Sequence, residues 1–502
     1  MNRDVVYFSA LLALFVLTGL VARLHFASEP LWIDELHTAW TSAKQNSISE
    51  VISRAGQGNQ TPLYFCITWL VQKCIGFSIF SLRLPSIAFS ILAAVSAGLL
   101  VRKQTSSNVC GLLTTGLLAA DYWMVFYGSE ARPYAAIQFL SVAQLGAFFR
   151  EIKSGVGQKP QGGLNWLLIV TTSCLLLTHL TSIVLISAQI VISIAMYRQL
   201  NIRRISNSFS VVILPLVACF PILDHVLSNS ESWSSVNRIN SLLLAIWPTL
   251  VCCGVPSVSA FLFFCFRKDI RTGMLLAAGP PLLSLLIVIG LHYCNLVAIA
   301  SYRYVTFITP LLAIGTGLAI GTINNQHRQH FAAVTILLIA LALNPLVQNF
   351  NQFSRLRLRH ENWQAAIEKI NGLSNNESTF VFLFANLIED SKLHREKNDL
   401  FVNYLRFPLT SAYRLQKKPT IVPMPTITNL NRWKSEDLNL IAQRQSCFVV
   451  ARCDQDLFSQ ILNELEQLAK IQNIYLSFEV HEQDGNVVRV AQINLIQKDQ
   501  NE

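Results

Sequence analysis

Two adjacent carboxylates, Asp34 and Glu35, lie in Leu31-Trp32-Ile33-Asp34-Glu35-Leu36-His37, soon after the first apolar run. A carboxylate so placed can take a proton from an acceptor hydroxyl. A plainer use is also open: Asp34 capping a short interfacial helix, with Glu35 favourable in its first turn. A second charged group interrupts an apolar stretch at Tyr127-Gly128-Ser129-Glu130-Ala131-Arg132-Pro133-Tyr134. An acid and an arginine at a membrane boundary are expensive to leave unpaired in hydrocarbon. They either pair locally and close the turn or serve a site. His179 ends the run Leu177-Thr178-His179, where a lone histidine is often structural, and Arg303 stands in Ser301-Tyr302-Arg303-Tyr304, where an arginine can snorkel. Arginine also holds phosphate through paired hydrogen bonds, so these residue types together suit a lipid-linked phosphate.

The chain that must position them has 502 residues, 52% hydrophobic and 14% charged, with mean hydropathy +0.42. Soluble domains carry about 25% charged residues, so lipid is the main solvent here. Apolar runs dominate to about residue 347, and charged residues are frequent beyond it. The expected organisation is a membrane body over residues 1–349 and an extracytoplasmic soluble α/β domain over 350–502. The net charge of +10 resides largely in short loops at span ends, where it sets topology. No basic stripe with interleaved aromatics occurs, which argues against a nucleic-acid partner. Walker, G-x-G-x-x-G, H-E-x-x-H and Cys-pair zinc patterns are missing, so any energy source must lie in the substrate. The run Val5 to Val21 follows Asn2-Arg3-Asp4 and lacks a small-residue cleavage site, which predicts a retained first span. Nine of the eleven cysteines precede residue 300, mostly in apolar runs where a thiol acts as a small hydrophobe. Cys447 and Cys453 could pair in an exported tail or remain free thiols.

Five basic loops are assigned to the cytoplasm: Arg102-Lys103, Arg150 to Lys159, Arg198 to Arg204, Arg267-Lys268 with Arg271, and Asn324 to His330. Paired apolar stretches near 109–127 and 134–149, 164–180 and 181–197, 208–227 and 241–265, and 274–292 and 304–323 separate them. A last stretch, 331–347, leaves the tail outside. Pro62 to Gly76 is short for a span and is expected to rest on the outer surface, within a loop from about 26 to 83. The outcome is eleven spans with the N-terminus inside. Asp34, Glu35, Glu130, Arg132, His179 and Arg303 then share one extracytoplasmic face. In the tail the patterns predict helices at Glu361 to Ile370 and Asp454 to Ile471, and strands at Thr379 to Phe384 and Cys447 to Ala451. Two further strands, Ile474 to Val480 and Val487 to Ile496, flank the turn Gln483-Asp484-Gly485-Asn486.

In order along the chain, Asp34-Glu35, Thr61-Pro62-Leu63-Tyr64, Leu82-Arg83-Leu84-Pro85-Ser86, Tyr127 through Tyr134, Leu177-Thr178-His179, Arg303-Tyr304 and Glu361-Asn362-Trp363 resemble the GT-C glycosyltransferases. The likeness is to the bacterial branch of the dolichyl-phosphate-mannose protein mannosyltransferase family (glycosyltransferase family 39), including the lipid A aminoarabinose transferases, and covers roughly residues 1–370. It implies an α-helical polytopic membrane protein of GT-C type, with about eleven transmembrane helices, interfacial helices in the first outer loop and a C-terminal α/β domain. It further implies transfer of a monosaccharide from a polyprenyl-phosphate donor to a glycan, lipid or protein acceptor outside the cytoplasm, with inversion, in a bacterial inner membrane. Asp34 would be the general base, with Glu35 and Glu130 positioning substrate. Arg303, Arg132 and Arg83 would hold the lipid phosphate, and His179, Tyr64, His37 and Tyr304 would complete the substrate site. Relatives carry His-Pro-Pro-Leu-Tyr where this chain has Gln60-Thr61-Pro62-Leu63-Tyr64; a divalent metal, held by Asp34 and Glu130, is left open. Three rivals stand beside this reading. A ligase using diphosphate-linked glycans would want a dominant basic outer loop. A transporter or lipid flippase would want acids near span centres and an inverted repeat. A non-catalytic relative would bind lipid without turnover.

Overall fold

The computed structural model describes residues 3–496 except 59, 153–162, 221–238, 261, 263–267, 295–300, 324, 345–346, 348–360, 375–378, 388–399, 417–418, 426–431, 444–445 and 482–485. It divides into two units, one formed by Met1–Glu29 and Thr41–Leu356, the other by Pro30–Trp40 and Arg357–Glu502.

The first unit is helical. Among the described residues, four helical segments are long and apolar enough to cross a membrane: Val5–Phe26, Ile79–Thr105, Asn240–Ser259 and Ile270–Tyr293. Tyr134–Phe149, Trp166–Thr178, Ser182–Ala195 and Ile308–Ile320 are apolar but shorter. Large apolar side chains face outward on several of these helices: Leu17 is 58% exposed, Leu214 77%, Leu244 76% and Phe331 76%. Apolar surface left outward at several helices at once suits a lipid surround, and the chain is a multi-pass membrane protein.

The stretch expected as one span over 109–127 is broken. Helices Asn108–Ala120 and Tyr122–Gly128 meet at a 60° bend. Asp121 sits at the break with extended backbone, and its Oδ1 accepts the Met124 amide at 2.9 Å. A carboxylate cap starts a new helix there, where an apolar residue would have continued the old one. Helix Leu63–Ile75 has 13 residues, about 20 Å at 1.5 Å per residue, against a hydrocarbon core of about 30 Å. Helices Ile79–Thr105 and Asn108–Ala120 pack at close range: a Cβ on Gly98 would stand 2.0 Å from Thr115 Oγ1 and 2.7 Å from Gly111 O. Small residues permit such backbone approach between apolar helices.

In the second unit a five-stranded sheet runs in the order β2-β1-β3-β5-β4, with β1 Thr379–Phe384, β2 Thr420–Pro423, β3 Ser446–Arg452, β4 Leu476–His481 and β5 Val488–Leu495. β1 lies parallel to both β2 and β3, while β5 is antiparallel to β3 and β4. Every residue of β1 is buried, which explains its unbroken apolar run: a central parallel strand is covered on both faces. Pro423 ends the edge strand β2, where a missing N–H costs least. Helix Gln455–Ile471, capped by Asp454, lays Phe458, Ile461 and Leu465 into a core with Phe382, Phe384 and Val449. The turn expected at 483–486 lies outside the described residues except for Asn486. Cys447 and Cys453 are both buried free thiols.

Candidate functional site

In the membrane unit the site grows from the turn after Tyr122–Gly128. The Ser129 hydroxyl bonds back to Val125 O (2.7 Å) and Arg23 O (3.0 Å), and the Arg132 amide donates to Glu130 O at 2.8 Å, closing the turn. Pro133 then leads into helix Tyr134–Phe149. Glu130 and Arg132 are nearly buried, at 6% and 5% exposed. Ser86 Oγ donates to Arg132 O at 3.0 Å and lies 2.7 Å from the Tyr64 hydroxyl, so helices Leu63–Ile75 and Ile79–Thr105 both fix this turn. Close approach is needed at Gly128, where a Cβ would meet Ser90 Cβ and Oγ at 2.7 Å.

Four aromatic contacts join three separate loops here. The Arg132 guanidinium lies 5.9 Å from the Tyr134 ring, and that ring is 6.0 Å from His179. His179 is 5.8 Å from Tyr304, whose face carries Arg303 at 4.8 Å. Both arginines act electrostatically on His179. The His179 Nδ1 accepts the Thr181 amide at 3.3 Å, which places the ring proton on Nε2. That Nε2 is buried and has no hydrogen-bond partner among the described residues. Two guanidinium groups and an N–H donor in a largely aromatic surround can hold an anion with strength that water would deny them. Arg83, 3% exposed, directs Nη1 to Ala27 O (2.9 Å) and Glu29 O (2.6 Å), which fixes the chain just ahead of Pro30.

Two residues not singled out from the sequence also matter in this unit. Arg23 is completely buried, with Nε on Ser90 Oγ at 2.9 Å and Nη1 on Gly19 O at 2.8 Å. It interacts electrostatically with Asp121, which lines a cavity of about 380 Å³ together with Trp123, Thr249, Cys252, Thr309 and Asn344. An acid inside an apolar run was the available signal.

In the second unit Asp34 and Glu35 occupy the first turn of helix Ile33–Thr41. Glu35 is wholly buried, whereas Asp34 is partly exposed and so accessible for proton transfer. His37 and Trp40 pack on Tyr404, at ring distances of 5.2 and 5.5 Å. Among the described residues no group of three His, Cys, Asp or Glu side chains gathers as a metal ion would need.

No protein-family model and no curated protein sequence matches the chain. Solved structures do. ArnT from Cupriavidus metallidurans bound to undecaprenyl phosphate matches with TM-score 0.52 at 14% identity, over 98% of each chain. Its apo state matches with TM-score 0.53 at 12% identity, over 96% of this chain and 98% of that one. The oligosaccharyltransferase AglB from Archaeoglobus fulgidus, in complex with an inhibitory peptide and a dolichol-phosphate, matches with TM-score 0.51 at 9% identity, over 100% of this chain and 75% of that one. Likeness at such low identity speaks for architecture alone, and that architecture is the GT-C fold of the membrane glycosyltransferases.

Proposed function

We propose that this protein is a glycosyltransferase that moves a monosaccharide from a polyprenyl-phosphate carrier to an acceptor on the extracytoplasmic side of a bacterial inner membrane. The observation that carries the reading is the cluster of Arg132, His179 and Arg303, bridged by Tyr134 and Tyr304. It suits a phosphate at the end of a lipid. The neighbours of the same fold give support, since they were solved with undecaprenyl phosphate and with a dolichol-phosphate.

In this reading Arg303 and Arg132 neutralise the phosphate, so that it departs as the sugar develops oxocarbenium character. Asp34 takes the proton of the acceptor hydroxyl and inversion follows. Glu35 and Glu130 position the reactants, and His37, Tyr64, Arg83 and Tyr304 contribute to substrate binding. The test is a proteoliposome assay with the full chain and undecaprenyl phosphate linked to radiolabelled mannose, glucose or aminoarabinose. Lipid, glycan and peptide fractions are offered as acceptors. Loss of label from the carrier, dependent on the protein and matched by gain in one acceptor fraction, is the expected result. A carrier that crosses the vesicle bilayer with its sugar intact would favour a flippase instead.

A further inference from the structure

The helix that carries Asp34 is anchored by side chains more than three hundred residues away in sequence. Glu361 Oε2 accepts the Ile33 amide at 2.8 Å and the Trp363 indole N–H at 3.2 Å. Its Oε1 takes a short charge-assisted bond from Arg452 Nε, at the end of strand β3, and Arg452 Nη1 holds Asn386 O at 3.2 Å. Two tyrosines complete the grip. The Tyr404 hydroxyl donates to Ile33 O at 3.1 Å, and the Tyr413 hydroxyl accepts the Leu31 amide at 2.7 Å.

Helix Ile33–Thr41 has nine residues, fewer than the roughly 12–15 at which isolated helices become even marginal in water. Its first amides lack partners inside the helix, and a carboxylate at that end satisfies one of them and complements the dipole. Glu361 is 8% exposed and fixed on both oxygens, so it serves as a rigid cap built into the sheet unit. Three backbone groups in residues 31–33 are thereby assigned to side chains of that unit, immediately before Asp34.

We propose that Glu361, backed by Arg452 and Tyr404, is a positioning residue for Asp34: the C-terminal domain sets the base's backbone through the amide and carbonyl of Ile33. This rests on the reading of Asp34 as general base. Misplacing a reacting group by about 1 Å can cost about a hundredfold in rate, so the anchor should show in turnover rather than in donor binding.

The test uses the full-length chain in proteoliposomes, as wild type, Glu361→Ala, Glu361→Gln and Tyr404→Phe. Amide hydrogen exchange over residues 31–38 is measured alongside kcat and KM for whichever of the three carrier-linked sugars the wild type turns over. Expected for Glu361→Ala are faster exchange at 31–38 and a kcat lower by about tenfold to a hundredfold, with donor KM little changed. Glu361→Gln, which keeps a carbonyl acceptor for the Ile33 amide, should recover part of the rate. Tyr404→Phe, which keeps the ring against His37, should give a smaller effect of the same sign. Should Glu361→Ala lower stability broadly, exchange in β1 and β3 will reveal it and Tyr404→Phe then decides. Unchanged exchange at 31–38 overturns the anchor, and faster exchange with unchanged kcat overturns the positioning role. A wild type that releases no sugar from any carrier removes the proposed activity, while the exchange at 31–38 still supports or overturns the anchor.

Discussion

The Tyr64 hydroxyl lies 2.7 Å from the Ser86 hydroxyl, both completely buried. Ser86 commits its single proton to Arg132 O, so Tyr64 is the donor in the pair. Helix Leu63–Ile75 therefore governs the turn that carries Arg132, through one serine. Removing Ser86 takes one hydrogen bond from a buried tyrosine hydroxyl and one from a carbonyl, each worth about 0.5–1.5 kcal/mol. Ser86→Ala should lower both thermal stability and turnover. Tyr64→Phe, which keeps the bond from Ser86 to Arg132 O, should do less. Equal, negligible effects from both in a detergent melt and a transfer assay would remove this link.

The acidic pair divides by accessibility. Asp34 is partly exposed and Glu35 wholly buried. A positioned general base contributes about a hundredfold to ten-thousandfold, so Asp34→Asn should reduce kcat by that order with melting temperature preserved. Glu35→Gln should lower kcat less than Asp34→Asn and the melting temperature more, because Glu35 positions the reactants from a wholly buried place in the helix's first turn. Turnover retained by Asp34→Asn in a reconstituted assay would reject the base assignment.

Arg303 lies 4.8 Å from the Tyr304 ring, and its charge acts on His179 together with that of Arg132. Truncating one member of a desolvated charge contact costs about 2 kcal/mol or more, roughly thirtyfold in affinity. Arg303→Ala should thus raise the donor KM by that order and leave acceptor KM close to wild type. His179→Phe keeps the aromatic contacts with Tyr134 and Tyr304 but loses the Nε2 donor, so its effect should be smaller and of the same kind. A change confined to the acceptor would argue against phosphate at these residues.

How much of this was legible in the sequence depends on the range of the forces involved. Apolar runs announce helices because burial and lipid act on every residue alike, and the strands Thr379–Phe384 and Ser446–Arg452 are apolar for the same reason. The separate loops holding Arg132, His179 and Arg303 were visible as charges and a histidine at the ends of such runs. Their meeting was not, since it depends on Tyr134 and Tyr304 packing between them. The break at Asp121 was hidden because a single cap weighs less than the apolar residues around it. Strand β2 has four residues and helix Leu400–Phe407 eight, too short for periodicity to stand out. The bond from Ile33 to Glu361 spans 328 positions and leaves no local pattern at either end. Neither did anything local assign Pro30–Trp40 to the sheet unit.

Arg23 offers the clearest stability test in the membrane unit. It lies in the last turn of helix Arg3–Phe26, completely buried, and reaches Ser90 Oγ on one helix and Ala119 O (3.3 Å) on another. Asp121, at the neighbouring bend, is its electrostatic counterpart. A planar guanidinium can meet these acceptors together, whereas an ammonium presents a single point. Removing the guanidinium takes its hydrogen bonds from buried acceptors, at about 1–3 kcal/mol for each group left unsatisfied, and leaves Asp121 without its opposing charge. Arg23→Met should therefore lower the unfolding midpoint in detergent sharply, and Arg23→Lys should fall between it and wild type. Adding Asp121→Asn to Arg23→Met should restore part of the loss, because no uncompensated carboxylate is left. The carbonyls of Gly19 and Ala119 would still lack their donor, so recovery is expected to be incomplete. If the double variant melted no higher than Arg23→Met alone, Asp121 would not be the counter-charge, since asparagine keeps the cap on the Met124 amide.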